Sequence, residues 1–555
     1  MAVITDAQHP LARIQYWEKE GAHRVYLTQP MPGGAVRDYT WMQAVGEARR
    51  IAAYLKAQNY PAGSNIAILS KNSAHWIMSD FAIWMAGHVS VPLYPTLTAD
   101  SVRQVLEHSG SKALFVGKLD DWPAMKPGVP AGVHCISYPN SSPNDFPTWD
   151  DLVAKTAPLK DIPKRGLDEL ATIIYTSGTT GMPKGVMHSF RTIASATEPL
   201  AERYQACSDD RLLSHLPLCH VGERWGVEAT SLVAGFHIYF AESLETFVAD
   251  LRRARPTIFG TVPRLWVKFQ QGVFSKFPKK KLDLLFRIPL LNRVIKKKIL
   301  EGLGLQHVRR AGGGAAPMPP SMLNWYRELG LEILELYGMT ENFALSHANA
   351  PGSARAGYVG APWPGVECKL SEIGEVLVRS PGTMLGYYKE AEKTREVLSA
   401  DGWLSTGDLG EIDELGRLRI TGRAKEIFKT SKGKYVAPAP IENKLTQHSA
   451  IEACCVAGAN QPQPCALVML SPDAMKQERA ALTQSLSEHL EKVNDQLDAH
   501  EQMDFLAVVK DAWTVEAGFI TPTMKIKRNI IEKTYGDHLD GWYGEKQPVI
   551  WQAKT

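Results

Sequence analysis

The chain has no cysteine framework. Its seven cysteines (135, 207, 219, 368, 454, 455 and 465) form no CxxC pair and no CxH cluster. An odd, scattered set suits free thiols in a reducing compartment better than disulfides. The adjacent Cys454-Cys455 reads as a buried strand pair. Nor is there an excess of one charge: a formal +3 over 555 residues predicts no bulk attraction to nucleic acid. Long hydrophobic runs are missing too. The most apolar early stretch, Trp76 to Leu93, is interrupted by Asp80, Gly87 and His88, which argues against a membrane span. Met1 to Pro10 has no basic region followed by an apolar core, so a signal peptide is not indicated. No internal repeat or low-complexity tract is present. Cytoplasmic location is the expectation, and the length predicts about three or four packing units.

What the sequence does carry is a run of small and hydroxylated residues, Thr176-Ser177-Gly178-Thr179-Thr180-Gly181-Met182-Pro183-Lys184-Gly185. It follows Leu170-Ala171-Thr172-Ile173-Ile174-Tyr175, an apolar run that reads as a buried strand. Small residues permit close approach to backbone N–H groups, hydroxyls donate, and Lys184 adds charge, a chemistry suited to polyphosphate. It is not the Walker arrangement, because the lysine follows Met-Pro and no Ser/Thr comes after it. Alone, such a loop also admits the reading of an ordinary surface turn.

Helical periods over Tyr39–Gln58, Trp76–Ala86 and Ser101–His108 alternate with strand-like runs at 65–69, 89–93 and 113–116. That rhythm, which continues from Ala229 to Val262, implies an α/β fold with parallel sheets covered on both faces. Past Gly422-Arg423 the chain restarts: a Gly/Lys-rich hairpin at Thr430–Tyr435, a helix from Pro440, a strand at Ala453–Ala457, and a polar helix near Met475–Asp498. The expected division is therefore 1–423 and 424–555, across a short polar joint. Between Lys276 and Lys298, nine basic residues face one acid, Asp283, and are interleaved with Leu284-Leu285-Phe286 and Ile288-Pro289-Leu290-Leu291. This segment is either a solvated helical face or an amphipathic surface for an anionic membrane, giving peripheral contact through 276–298.

Four further blocks follow the loop: Glu335-Leu336-Tyr337-Gly338-Met339-Thr340-Glu341, Gly402-Trp403-Leu404-Ser405-Thr406-Gly407-Asp408, Thr421-Gly422-Arg423-Ala424-Lys425-Glu426, and Pro522-Thr523-Met524-Lys525-Ile526-Lys527-Arg528. Five such blocks in this order resemble the adenylate-forming (AMP-binding) superfamily. Within it, Leu216 to Arg224, Thr261 to Trp266 and the Pro-Thr-Met-Lys form of the last block resemble the long-chain fatty acyl-CoA synthetases; Met524 stands where other branches carry Gly. The resemblance implies a large N-terminal domain of stacked α/β sheets with a small β-barrel-like subdomain. A small α+β C-terminal domain that rotates would follow. It also implies activation of a carboxylic acid, a medium- to long-chain fatty acid, by ATP and Mg²⁺ through acyl-AMP, then transfer to CoA.

Bringing two anions together is a problem of positioning and charge. By resemblance, Thr176, Ser177, Gly178, Thr179, Thr180, Gly181 and Lys184 hold the β- and γ-phosphates, Thr340 donates to phosphate, and Glu341 holds Mg²⁺. Asp408 accepts from the ribose, Arg423 donates to the same sugar, and Tyr337 offers a ring for adenine. Gly313, Gly314 and Ala315 leave room for base and acyl group, and Glu335 and Gly338 belong to the same nucleotide site. Lys525 bridges carboxylate and α-phosphate. Lys527 is its alternative, since alternate residues of an extended segment share a side. His220 is expected in the acyl pocket with Gly314. Lys425 is the expected hinge, whose rotation withdraws Lys525 and brings Lys432, Gly433 and Lys434 to the site for CoA. Three other readings stay open: a ligase for aryl or other bulky acids, an adenylating domain that loads a carrier protein, and a luciferase-like oxygenase.

Overall fold

The computed structural model describes residues 4–176, 183–515, 517–521 and 525–553. Its centre is a seven-stranded sheet in the order Gly386–Tyr387, Lys184–Ser189, Leu170–Thr176, Val89–Leu93, Asn65–Leu69, Ala113–Val116, His134–Ser137. The five strands from Leu170–Thr176 to His134–Ser137 run parallel. The other two are antiparallel, so the sheet is mixed where the alternating pattern predicts a parallel one. The reason is local. Thr176 and Lys184 are register partners, and so short a connection closes only a hairpin, because a parallel crossover needs about a dozen residues or more.

A second sheet joins Val36–Thr40, Val25–Pro30, His237–Phe240 and Arg211–Ser214. A third sets Ile258–Thr261, Arg310–Gly314 and Ile333–Tyr337 parallel, with two short antiparallel strands beyond them. Gly314 pairs with Leu336, so the C-terminal ends of these strands open on one edge. Ligands of α/β sheets bind at such edges. An antiparallel sheet of Glu367–Leu370, Glu375–Arg379, Leu404–Ile412 and Leu418–Arg423 occupies the place expected for the small barrel-like subdomain. A separate mixed sheet, Ile451–Ala457, Cys465–Leu470, Leu506–Val508 and Val549–Trp551, forms the C-terminal part. Hydrophobic clusters reach as far as Ile420 on one side and begin at Phe428 on the other. Among the described residues, none of these clusters mixes the two parts.

Asp80, which interrupts the apolar helix Ala74–Met85, is fully buried and ion-paired with Arg224. The same guanidinium reaches Glu228 (3.1 Å) and donates to Thr172 Oγ1 (2.5 Å). It lies over the rings of Trp76 and Trp84. Burial and the neighbouring Asp80 push Glu228 far above the usual carboxylate range. One cation among two buried carboxylates is electrically balanced only when one of them holds a proton.

Candidate active site

Residues Arg224–Ala229 form a π-helical turn. The wide turn sends Arg224 into the buried ion network and leaves Trp225, Gly226 and Val227 lining a cavity of about 450 Å³. Wide turns of this kind recur at functional sites. The inner walls are apolar, with Leu212, Leu213, Phe236 and Ile258 opposite the turn. The other end is polar, formed by His220, Gly313, Gly314, Ala315, Tyr337, Gly338 and Lys525. Two of these glycines are required by space. A Cβ on Gly314 would lie 2.4 Å from the Leu336 carbonyl oxygen, and one on Gly338 2.4 Å from that of Ala344.

Lys525 comes from the C-terminal part. Its segment is held by Thr521 N–H donating to the Lys525 carbonyl (2.8 Å) and by Lys527 N–H donating to the Phe519 carbonyl (2.7 Å). Arg528 anchors it by donating to Glu442 Oε1 and the Val456 carbonyl, both at 2.6 Å. Lys527 caps the final helix, Arg528–Glu545, and is not among the residues lining the cavity. Desolvation, then the Arg423 charge, lowers the Lys525 pKa from the ordinary lysine value, against Asp408, Glu426 and Glu341. His220 is pushed down to about 4 by burial and by Lys525. It is thus a neutral imidazole whose Nδ1 accepts from Gly222 N–H (3.1 Å) and whose proton sits on Nε2.

Asp408 and Arg423 are register partners on adjacent strands. Asp408 Oδ1 pairs with Arg423 Nε (2.9 Å), and Oδ2 accepts from the Tyr337 hydroxyl (2.7 Å). A carboxylate has about four acceptor sites, and these two contacts among the described residues leave room for a further donor. Glu341 Oε1 accepts from the Tyr387 hydroxyl (2.8 Å), and Lys184 Nζ lies 4.8 Å from the centre of the Tyr387 ring. Tyr387 therefore ties Glu341 to the strand that follows the Gly/Thr loop. The Thr340 carbonyl pairs with buried His188 Nε2 (2.7 Å).

These contacts come with a match to a known family. Residues 15–388 match the AMP-binding enzyme family, and residues 425–547 match the C-terminal domain of AMP-binding enzymes. The chain belongs to the AMP-binding enzyme family. Its similar relatives include "Long chain acyl-CoA synthetase 7, peroxisomal" of Arabidopsis thaliana, 30% identical over 94% of this chain and 85% of that one. "Long-chain-fatty-acid–CoA ligase FadD15" of Mycobacterium bovis is 30% identical over 98% and 99% of the two chains. The adenylation domain of a carboxylate reductase from Mycobacterium chelonae superposes with a TM-score of 0.83 at 23% identity, covering 97% of this chain and 92% of that domain. The anthranilate CoA ligase AuaEII, solved with anthranoyl-AMP, gives 0.77 at 21% identity over 95% and 97%. At those identities the two structures establish the fold.

Other expected residues of this family member lie elsewhere. Ser177, Gly178, Thr179, Thr180 and Gly181 fall outside the described residues; Thr176 and Lys184 flank them as strand ends. Glu335 is buried behind its strand, where it accepts from the backbone of Gly357 and Met318, and burial pushes it up to about 8. Its neighbour Leu336 faces the cavity instead. Lys425 is exposed in the one-turn helix Ala424–Glu426. Lys432, Gly433 and Lys434 form a hairpin tip outside the cavity, with Lys432 Nζ on Gln463 (3.2 Å). Arg264 lines the cavity and is ion-paired with Glu452 of the C-terminal sheet. Tyr387, His188 and the Arg224 network were not legible as site residues. The only signal was an acid, Asp80, inside an apolar helix, which implies a buried partner.

Proposed function

We propose that this chain is an acid–thiol ligase that activates a medium- to long-chain fatty acid with ATP and transfers the acyl group to CoA. The carrying observation is one cavity with apolar walls whose polar end holds the Lys525 ammonium beside the Asp408–Arg423–Tyr337 cluster. Its volume suits a ligand, since pockets run about 300–1,000 Å³. The names of the relatives support the same substrate class.

In the proposed first step a carboxylate oxygen attacks the α-phosphorus. The bond from that phosphorus to the bridging oxygen breaks, and pyrophosphate leaves acyl-AMP behind. Lys525 neutralises the two approaching anions, and neutral His220 supplies a hydrogen bond without a competing charge. Asp408, oriented by Arg423 and Tyr337, takes the ribose hydroxyls. Glu341 fits a magnesium ion: Tyr387 holds one of its oxygens, no side-chain donor among the described residues meets the other, and Mg²⁺ usually takes one or two carboxylates with phosphate and water. That ion would supply charge neutralisation on the phosphates. In the second step the CoA thiol attacks the acyl carbonyl and AMP departs. The parts 1–423 and 424–555 would rearrange about Lys425 between the steps, bringing Lys432, Gly433 and Lys434 towards CoA.

The test is a panel of straight-chain acids from acetate upward, with benzoate and anthranilate alongside, scored for pyrophosphate release and acyl-CoA. kcat/KM should rise with chain length, roughly fourfold per methylene that enters the cavity. Preference for the aromatic acids, or acyl-AMP without thioester on CoA, would replace this reading.

A further inference from the structure

The basic segment singled out in the sequence folds as two helices, Lys279–Phe286 and Leu291–Leu303, hung from the end of Pro263–Lys276. Their inner faces are satisfied: Leu282, Phe286 and Ile299 are buried in a hydrophobic cluster that includes Phe274 and Trp325 of neighbouring helices. A solvated helical face is mostly polar, with apolar residues exposed singly. Here Phe277, Leu284, Ile288, Leu290, Leu291 and Val294 are all exposed. Leu290 is 77% exposed and sits at the turn between the helices with φ of +67°, a conformation that leucine rarely adopts. Leu284 is 62% exposed.

Charge surrounds this apolar row. Nine basic residues and one acid leave residues 276–298 at +8 in a chain of +3. That acid, Asp283, is paired with Lys279 (3.3 Å), and the next one along, Glu301, with Lys297 (3.8 Å). Along the second helix of the pair, Arg255, Arg293, Lys296, Lys297 and His307, with Glu301 as the one acid, line an open groove of about 680 Å³. A row of bare aliphatic side chains at a turn, ringed by cations and sharing its helices with a basic groove, matches an anionic lipid surface in both apolarity and charge. No helix among the described residues is long and apolar enough to cross a membrane, so the contact is with the surface.

We propose that the helical turn around Leu290 docks this protein on an anionic lipid bilayer, aliphatic side chains entering the headgroup boundary and the lysines meeting lipid phosphates. The helix Pro263–Lys276 connects this patch to the cavity, which Pro263 and Arg264 line. Its 14 residues span about 21 Å. The exposed aliphatic side chains and the basic charge suit lipid whatever the reaction; for a ligase of fatty acids the contact would serve to capture an acid dissolved in lipid.

The experiment is co-sedimentation of the full chain with phosphatidylcholine vesicles, with and without phosphatidylglycerol. Binding should require the anionic lipid and weaken as salt rises. Joint replacement Lys279→Gln, Lys280→Gln and Lys281→Gln should lower partitioning about a hundredfold. Leu290→Asp should lower it roughly tenfold or more. Both variants should release pyrophosphate from a short, water-soluble acid as the parent does, which separates loss of docking from loss of the enzyme. Absence of binding by the parent chain, equal binding to neutral vesicles, or full binding by both variants overturns the proposal. So does a dimer in vesicle-free solution that Leu290→Asp dissolves, because the patch would then be a self-contact.

Discussion

Replacing Lys525 by Met keeps the length of the side chain and removes its charge. Around it stand Arg423, Asp408, Glu426 and Glu341, while His220, pushed down to about 4, contributes no charge near neutrality. These four groups and the lysine sum to −1, and without the ammonium the site stands at −2 before a carboxylate and a triphosphate enter. Two unit charges about 4 Å apart interact by ~4 kcal/mol at an effective dielectric of 20, and one preorganised donor to developing charge is worth ~2.7–4 kcal/mol. Pyrophosphate release in a single-turnover quench should therefore fall about 10²- to 10³-fold. Thioester formation from acyl-AMP supplied directly should stay within about threefold of the parent, because the proposed second step does not use this lysine. The pH profile adds a second check. The ammonium is the active form and its pKa is lowered by burial and Arg423, so adenylation should decline with rising pH before an ordinary lysine would lose its proton. That limb should vanish in Lys525→Met. Adenylation at the parent rate, or an equal loss in both half-reactions, would take the charge-neutralising role away from Lys525.

Asp408→Asn retains the shape that Tyr337 and Arg423 hold but loses the charge, and should weaken nucleotide binding by ~1.5–3 kcal/mol in calorimetry; unchanged affinity would leave Asp408 a structural partner of Arg423. Gly226→Leu fills space, since a Cβ there meets nothing within 4 Å. kcat/KM for the longest acids should fall by about 0.8 kcal/mol per displaced methylene, while the shortest acids are unaffected. Arg224→Met leaves Asp80 and Glu228 buried without their cation and should cost about 3–5 kcal/mol of stability, read as a lowered thermal midpoint. Since the folded state holds the Glu228 proton to far higher pH than the unfolded chain, the parent's own stability should decline as pH rises above the ordinary carboxylate range.

Much of this protein is local and therefore written in the order of its residues. The apolar runs at 65–69, 89–93 and 113–116 are strands buried throughout, and their short length between turn residues is what marks them in the sequence. The five spaced blocks carry the family resemblance without any geometry, and the two matched regions, 15–388 and 425–547, follow the order of the sequence. Tertiary structure decided what sequence spacing leaves open. Lys525 and Lys527 are equivalent in an extended segment; the anchoring of Arg528 by Glu442 and Val456 breaks the alternation, and only Lys525 reaches the cavity. Glu335 and Leu336 are one residue apart, and the strand's two faces send the acid into the packed interior and the leucine to the ligand side. Asp80 reads as a flaw in an apolar helix until Arg224, 144 residues away, is folded against it. The aliphatic residues between Lys279 and Lys298 could have been buried or bare. Which of them face water depends on what the rest of the chain packs against, and that information is non-local by nature.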